Sequence, residues 1–296
     1  MSTVAAAPAK KRISIGDLLM SIVPLFIMLI LNTAATMPAL IVGFLEHMND
    51  EDFDASNYMS WLNSGKASLA LTIGFIVYAV TAIIIFSLWY KKSFLKNQIK
   101  ISNKEAFNPK AVALTLIGTI GVWCIIILSL TLVESLFPSA LDNYNEIMES
   151  SGFGTNEIIT VFYVCLLGPI AEEFMFRAVT QGYFRRSGVP VAVAIFGQAV
   201  LFGIAHMNIV QSTYAVFIGA FIGLLRYKYG NIRICCLAHI VNNTISSYGI
   251  SLLYKLGLPD AAFYAGYIVF AAAAIPVIVL LIKKPSANID KAMQAA

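Results

Sequence analysis

Eight apolar stretches dominate this chain, most of them too long and too apolar to serve as the core of a water-soluble domain. They cover residues 18–43, 67–90, 111–137, 157–183, 190–207, 213–229, 234–254 and 262–282. About 20 apolar residues are needed to cross the hydrocarbon of a bilayer as a helix, and the fifth and sixth runs fall short of that. Inside hydrocarbon a segment must satisfy its own peptide groups, so each run predicts a helix. Charged residues make up 12% of the chain, against about 25% in a typical soluble domain. The predicted fold is all-α: a polytopic transmembrane helical bundle of about eight spans, integral to a membrane. In a bacterium that would be the plasma membrane.

The net charge of +4 says less than its placement. Lys10, Lys11 and Arg12 precede the first run, and Glu46, Asp50, Glu51, Asp52 and Asp54 follow it beside a single Lys66. Lys91, Lys92, Lys96, Lys100, Lys104 and Lys110 fill the next connection, and Asp142, Glu146 and Glu149 the one after. Arg185 and Arg186, then Arg226, Lys228 and Arg233, and finally Lys283 and Lys284 flank the later runs. Basic connections alternate with acidic or neutral ones, which places both termini in the cytosol by the positive-inside rule. No basic face interleaved with aromatics is present, so nucleic acid is not an expected partner. The expected partners are the lipid bilayer and a peptide or protein at the membrane.

Cys124, Cys165, Cys235 and Cys236 lie in apolar runs without C-x-x-C spacing and read as small buried hydrophobes. The first run is too long for a cleavable signal and reads as a retained span. No internal repeat is visible.

The fourth run, EIITVFYVCLLGPIAEEFMFRAVTQGYF, carries Glu172, Glu173 and Arg177. The fifth ends on LFGIAH with His206, and the seventh, ICCLAHIVNNTISSYGI, carries His239, Asn242 and Asn243. The third histidine, His47, falls in the first outer connection and reads as solvated. A charged side chain at bilayer depth costs about 2.5–3.5 kcal/mol on insertion scales. Glu173 and Arg177 share a helix face at i,i+4 and offset part of that. Glu172 points about 100° away and lacks a local partner, which marks it as a functional candidate. His239 and Asn243 share a face in the same way. Carboxylate, two imidazoles and an amide are the parts of a hydrolytic site. One Glu–His pair can hold and deprotonate water, while a second His and an Asn can donate to an oxyanion. Asn242 points off the His239 face and reads as packing. Asn32 in the first run, and Trp123 and Glu134 in the third, read as packing or interface residues.

EEFMFR fits E-E-x-x-x-R, FGIAH fits F-x-x-x-H and HIVNN fits H-x-x-x-N. In this order on successive apolar helices, the three motifs resemble the CAAX prenyl protease and bacteriocin-processing family (CPBP, also called Abi). The similarity covers roughly residues 157–250. The resemblance implies endopeptidase chemistry within the bilayer on a prenylated CAAX-type or bacteriocin-related substrate. It implies Glu172 as general base aided by His206, with His239 and Asn243 stabilising the oxyanion and Glu173 and Arg177 in support. The family has been described both as metalloproteases and as metal-independent glutamate proteases. Zinc or another divalent metal on Glu172, His206 and His239 is one possibility, although H-E-x-x-H is absent, and the metal-free glutamate mechanism is the other. The expected division is a cytosolic arm with three spans over 1–152, a catalytic core over 153–256, and a last span with cytosolic tail over 257–296.

Other classes stay open. An inactive scaffold or self-immunity protein would be expected to have lost one of these polar residues, and none is missing. A proton-coupled transporter would favour two similar halves with broken helices. Aspartyl and serine intramembrane proteases are disfavoured, since no aspartate lies in mid-span and no G-x-S-x-G is present.

Spacing also predicts depth. At about 1.5 Å per residue, His239 lies about 9 Å from Arg233, Glu172 about 20 Å from Arg185 and His206 about 24 Å from Pro190. The three agree if the hairpin after the fourth run projects about 10 Å into the cytosol. The fifth run then ends near mid-membrane, with Asn208, Gln211 and Ser212 in a polar cavity. Gly168-Pro169 before Glu172 predicts either a plain kink or the first turn of a new helix.

Overall fold

The computed structural model describes residues 13–48, 65–95, 102–142, 144 and 158–286. Among them are eight helical rods, one for each apolar run. A short helix, Ile15–Met20, leads into α1 (Val23–His47). α2 is Gly65–Tyr90, extended by a π-helical turn over Lys91–Leu95. α3 is Pro109–Leu136, α4 is Ile158–Arg186, α5 is Val191–Ala205 and α6 is Ile209–Tyr229. α7 runs from Ile232–Thr244 through a π-helical turn to Tyr254, and α8 is Asp260–Lys283. The described residues contain no strand. The chain is an integral membrane protein of polytopic helical architecture.

Six helices are long and apolar enough to cross a membrane; α5 is too short and α7 is not among the six. The expected count of about eight spans therefore corresponds to eight rods, of which six meet the length and apolarity of a span. Exposed Ile73, Val77, Ile84 and Leu88 on α2 and Ile268, Val269, Ile275 and Val279 on α8 form apolar outer faces. These faces suit hydrocarbon, not water.

The helix ends follow local chemistry. Asn108, Asn208 and Asn231 each cap a helix by accepting a backbone N–H, from Ala111, Gln211 and Arg233 respectively. Side-chain acceptors at this position satisfy donors that the first turn leaves unpaired. Gly230 ends α6 at φ 64°, the left-handed region that glycine enters without a Cβ clash. Close crossings use small residues in the manner of membrane helix pairs. A Cβ on Gly203 would meet the Ser212 carbonyl oxygen at 2.7 Å, and one on Gly121 the Phe270 carbonyl oxygen at 2.5 Å. These glycines hold α5 on α6 and α3 on α8.

α4 lies at the centre. Residues Met175–Gln181 are all buried, whichever face of the helix they occupy, as expected for a helix enclosed on every side. Its neighbours are α2, α5, α6 and α7, with α1 also in contact. Ala171, Met175, Phe176 and Val179 join Phe202, Ile222, Leu225, Cys235 and Ala238 in one core.

Two basic residues read as loop charges lie inside this packing. Arg226, 4% exposed, donates to Tyr90 Oη at 2.8 Å and to the Arg177 carbonyl. Lys228 donates to the Ile282 and Lys284 carbonyls and so caps the end of α8. Both belong to the last turn of α6, which helices surround, so hydroxyl and carbonyl acceptors replace water. The loop charges at 10–12, Asp50–Asp54, 96, 100, 146 and 149 lie outside the described residues, as do the side chains of His47 and Lys66.

Candidate active site

The E-E-x-x-x-R segment lies on a helix of uneven pitch. Within α4, π-helical turns over Tyr163–Leu167 and Glu173–Thr180 flank one α-helical turn, Gly168–Glu172. The helix is continuous through Pro169, so Glu172 is not in the first turn of a new helix. Proline has no N–H to give, and the preceding wide turn accommodates the missing bond. π-Bulges of this kind recur at functional sites. Here the boundary between the α-helical and the second π-helical turn falls between the two adjacent glutamates.

Glu173 is fully buried, and its Oε1 forms an ion pair with Arg177 Nη1 at 2.9 Å, the i,i+4 pair expected from spacing. The same oxygen receives His239 Nδ1 at 2.7 Å from α7. A carboxylate only accepts, so Nδ1 carries the proton. His239 Nε2 then faces Glu172 Oε2 at 3.5 Å. The imidazole is thus bracketed by both acids, and the one within reach of Glu172 is His239. The sequence expectation paired Glu172 with His206 for water activation. No direct Glu172–His206 bond is present among the described residues, and the two meet through a shared cavity.

That cavity, of about 450 Å³, is lined by Glu172, His206, His239 and Asn243 together. His206 follows the last residue of α5, and its Nδ1 donates to the Phe202 carbonyl at 2.9 Å. A carbonyl cannot donate, so neutral His206 keeps a lone pair on Nε2. The turn after it is tight: Met207 takes φ 53° and Asn208 caps α6. Gln211 lines the cavity, while Ser212 bonds back to the Gly203 carbonyl at 2.8 Å. Asn243 Nδ2 donates one hydrogen to the Val164 carbonyl at 3.0 Å, which leaves its second N–H.

Three residues do more than the sequence suggested. Asn242 also lines the cavity and donates to Asn243 Oδ1 at 3.2 Å, so it holds that amide in one orientation instead of merely packing. Asn32 of α1 is a further cavity residue and not simple packing. Phe202, the first residue of F-x-x-x-H, is the wedge of the site. Its ring meets His206 at 4.9 Å and His239 at 5.6 Å, both edge-on, and Arg177 Cζ lies 4.5 Å from its centroid. One aromatic ring therefore orients both imidazoles and the arginine. The spacing of Phe202 and His206 was visible in the sequence, but the reach across to α7 was not.

Zinc would need three protein donors converging within about 2.0–2.2 Å of one point. Among the described residues no three His, Cys, Asp or Glu side chains are so grouped. Nδ1 of His206 on a carbonyl and Nδ1 of His239 on Glu173 would each leave Nε2 as the ring nitrogen for a metal, but Glu172, His206 and His239 are not gathered around one point as arranged.

Comparison with known proteins falls on these same helices. Residues 154–245 match the family model of the type II CAAX prenyl endopeptidases, Rce1-like. A CAAX prenyl protease 2 of Arabidopsis thaliana is 27% identical over 152 residues, which cover 44% of this chain and 48% of that protein. The chain thus spans about half the length of this curated relative. No solved structure matches.

Proposed function

Because the chain belongs to the CAAX prenyl protease and bacteriocin-processing family through α4–α7, we propose that it is an intramembrane endopeptidase. Its substrate class is a membrane-associated peptide of the prenylated CAAX type, and its termini face the cytosol. One observation carries the reading. Glu172 faces an imidazole whose other nitrogen is bonded to a glutamate already paired with arginine.

The charges account for themselves. Glu172 and Glu173 contribute two negatives, and Arg177 and a protonated His239 two positives, so the cluster is neutral. Neutrality is favoured where unpaired charge is expensive. In this state Glu172 is a carboxylate, and His239 Nε2–H is a donor.

Water in the cavity donates one hydrogen to Glu172 and the other to the His206 Nε2 lone pair. Its own lone pair is then free to attack the scissile carbonyl carbon. Glu172 takes the proton as the C–O bond forms. The oxyanion receives His239 Nε2–H and the second Asn243 N–H. When the tetrahedral intermediate collapses, the C–N bond breaks and Glu172 returns its proton to the leaving amine. His239 is held in place by Glu173, which is in turn paired with Arg177.

The test is cleavage of a farnesylated CAAX reporter peptide by the purified protein in liposomes, with and without chelator. Turnover that requires the prenyl group and persists in chelator is expected. Absence of turnover on prenylated and plain peptides alike would reject the reading.

A further inference from the structure

The family match begins at residue 154, which leaves α1 and α2 without an assigned part in the chemistry. Yet both line the cavity: Met28 and Asn32 from α1, Phe75 and Tyr78 from α2. Met28 and Asn32 are four apart and project from one face. Of the four, Asn32 bears an amide, on a 25-residue helix that is mostly apolar.

An asparagine in a membrane helix is ordinarily glue, bonded across to a neighbouring helix. Among the described residues Asn32 is not used in that way. Its Oδ1 is buried and has no hydrogen-bond partner among the described residues. Buried polar groups are nearly always paired, so an orphan of this kind calls for an explanation. The cavity supplies one. A peptide bound across Glu172 brings backbone N–H groups out of water, and each needs an acceptor. Several other acceptors at the site are committed: one oxygen of Glu173 to Arg177 and His239, Asn243 Oδ1 to Asn242, and, in the proposed chemistry, Glu172 and His206 to the water they activate.

We propose that Asn32 is a substrate-binding residue, its Oδ1 accepting a backbone N–H of the peptide beside the scissile bond. α1 is then one wall of the substrate site and not a passive anchor. This inference rests on the protease reading above.

The experiment measures binding and turnover separately. Glu172→Gln protein is used to measure the affinity of the farnesylated peptide, with and without Asn32→Leu. Kinetics are measured on Asn32→Leu and Asn32→Asp in the otherwise native chain. Leucine keeps the branching at Cγ with more bulk and removes the acceptor, whereas an aspartic acid side chain keeps an oxygen acceptor in place. Asn32→Leu is expected to weaken binding and raise KM by about tenfold, with kcat within about threefold of native, from the loss of one peptide hydrogen bond. Its thermal midpoint should stay equal or rise, and Asn32→Asp should recover most of the affinity. Replacing the relevant substrate amide by an ester should weaken binding to the native site but have no further effect in Asn32→Leu.

Native affinity and KM in Asn32→Leu would overturn the inference while leaving the protease reading intact. A loss of activity that tracks a lowered thermal midpoint, with ester and amide still distinguished, would overturn it as well. Neither binding nor cleavage of any peptide by the native chain would overturn both readings at once.

Discussion

His239 Nδ1 lies 2.7 Å from Glu173 Oε1, the same oxygen that Arg177 Nη1 meets at 2.9 Å. One carboxylate oxygen thus orients an imidazole on α7 through its Nδ1–H and pairs with a guanidinium on α4. The other oxygen of Glu173 is buried without a partner. The acid adjacent to the proposed base therefore orients the catalytic imidazole and is more than half of a structural ion pair.

Glu173→Ala removes that anchor and leaves Arg177, 1% exposed, with an uncompensated charge. Breaking a buried pair from one side destabilises by about 3–5 kcal/mol, so a large fall in thermal midpoint in detergent is expected. Glu173→Gln retains an acceptor for His239 and should fold better. Its kcat should drop by up to about 10⁴, the loss seen when the orienting carboxylate of a hydrolytic triad is neutralised. Native kcat in Glu173→Gln would show that the carboxylate charge is not needed to hold His239.

Asn243 offers one N–H to Val164 and, in the proposed chemistry, the other to the oxyanion. Asn243→Ala should reduce kcat by about 10²–10³ with little change in KM, as expected for one oxyanion donor. Asn242→Ala, which only frees the Asn243 amide to turn, should cost a few-fold at most. Equal losses in the two variants would contradict this division of roles. Steady-state kinetics on one peptide decide it.

Met207 takes φ 53° in the turn that sets His206 between α5 and α6. A side chain in this region costs about 1–2 kcal/mol relative to glycine. Its own side chain is 75% exposed and gives up little when removed. Met207→Gly should leave activity unchanged and stability equal or up to about 1 kcal/mol higher. Met207→Val should lower both, because a β-branched residue fits this conformation poorly. Unfolding midpoints of the three proteins in one detergent check the order.

Much of this molecule was readable in its residues, for a physical reason. In hydrocarbon the apolar run and the helix are nearly the same statement, so all eight rods lie where composition put them. The Glu173–Arg177 pair followed from helical spacing alone. Partners on different helices did not. That His239 meets Glu173 and Glu172, or that Phe202 touches both imidazoles, depends on helix crossings that no local pattern encodes. The π-helical pitch of α4 was likewise invisible, because the spacing argument assumed a uniform 100° turn. Arg226 and Lys228 misled as loop charges because a basic residue in a last turn looks the same whether it faces water or a neighbouring helix.

The central claim is that Glu172, facing His239, takes the proton from the attacking water. Glu172→Gln tests it most directly, since the amide is nearly isosteric and cannot act as a base. Single-turnover cleavage of a farnesylated peptide in liposomes should slow by at least about 10³, with peptide affinity within a few-fold of native, because general-base catalysis supplies about 10²–10⁴. A Glu172→Gln protein that cleaves within tenfold of the native rate would contradict the account.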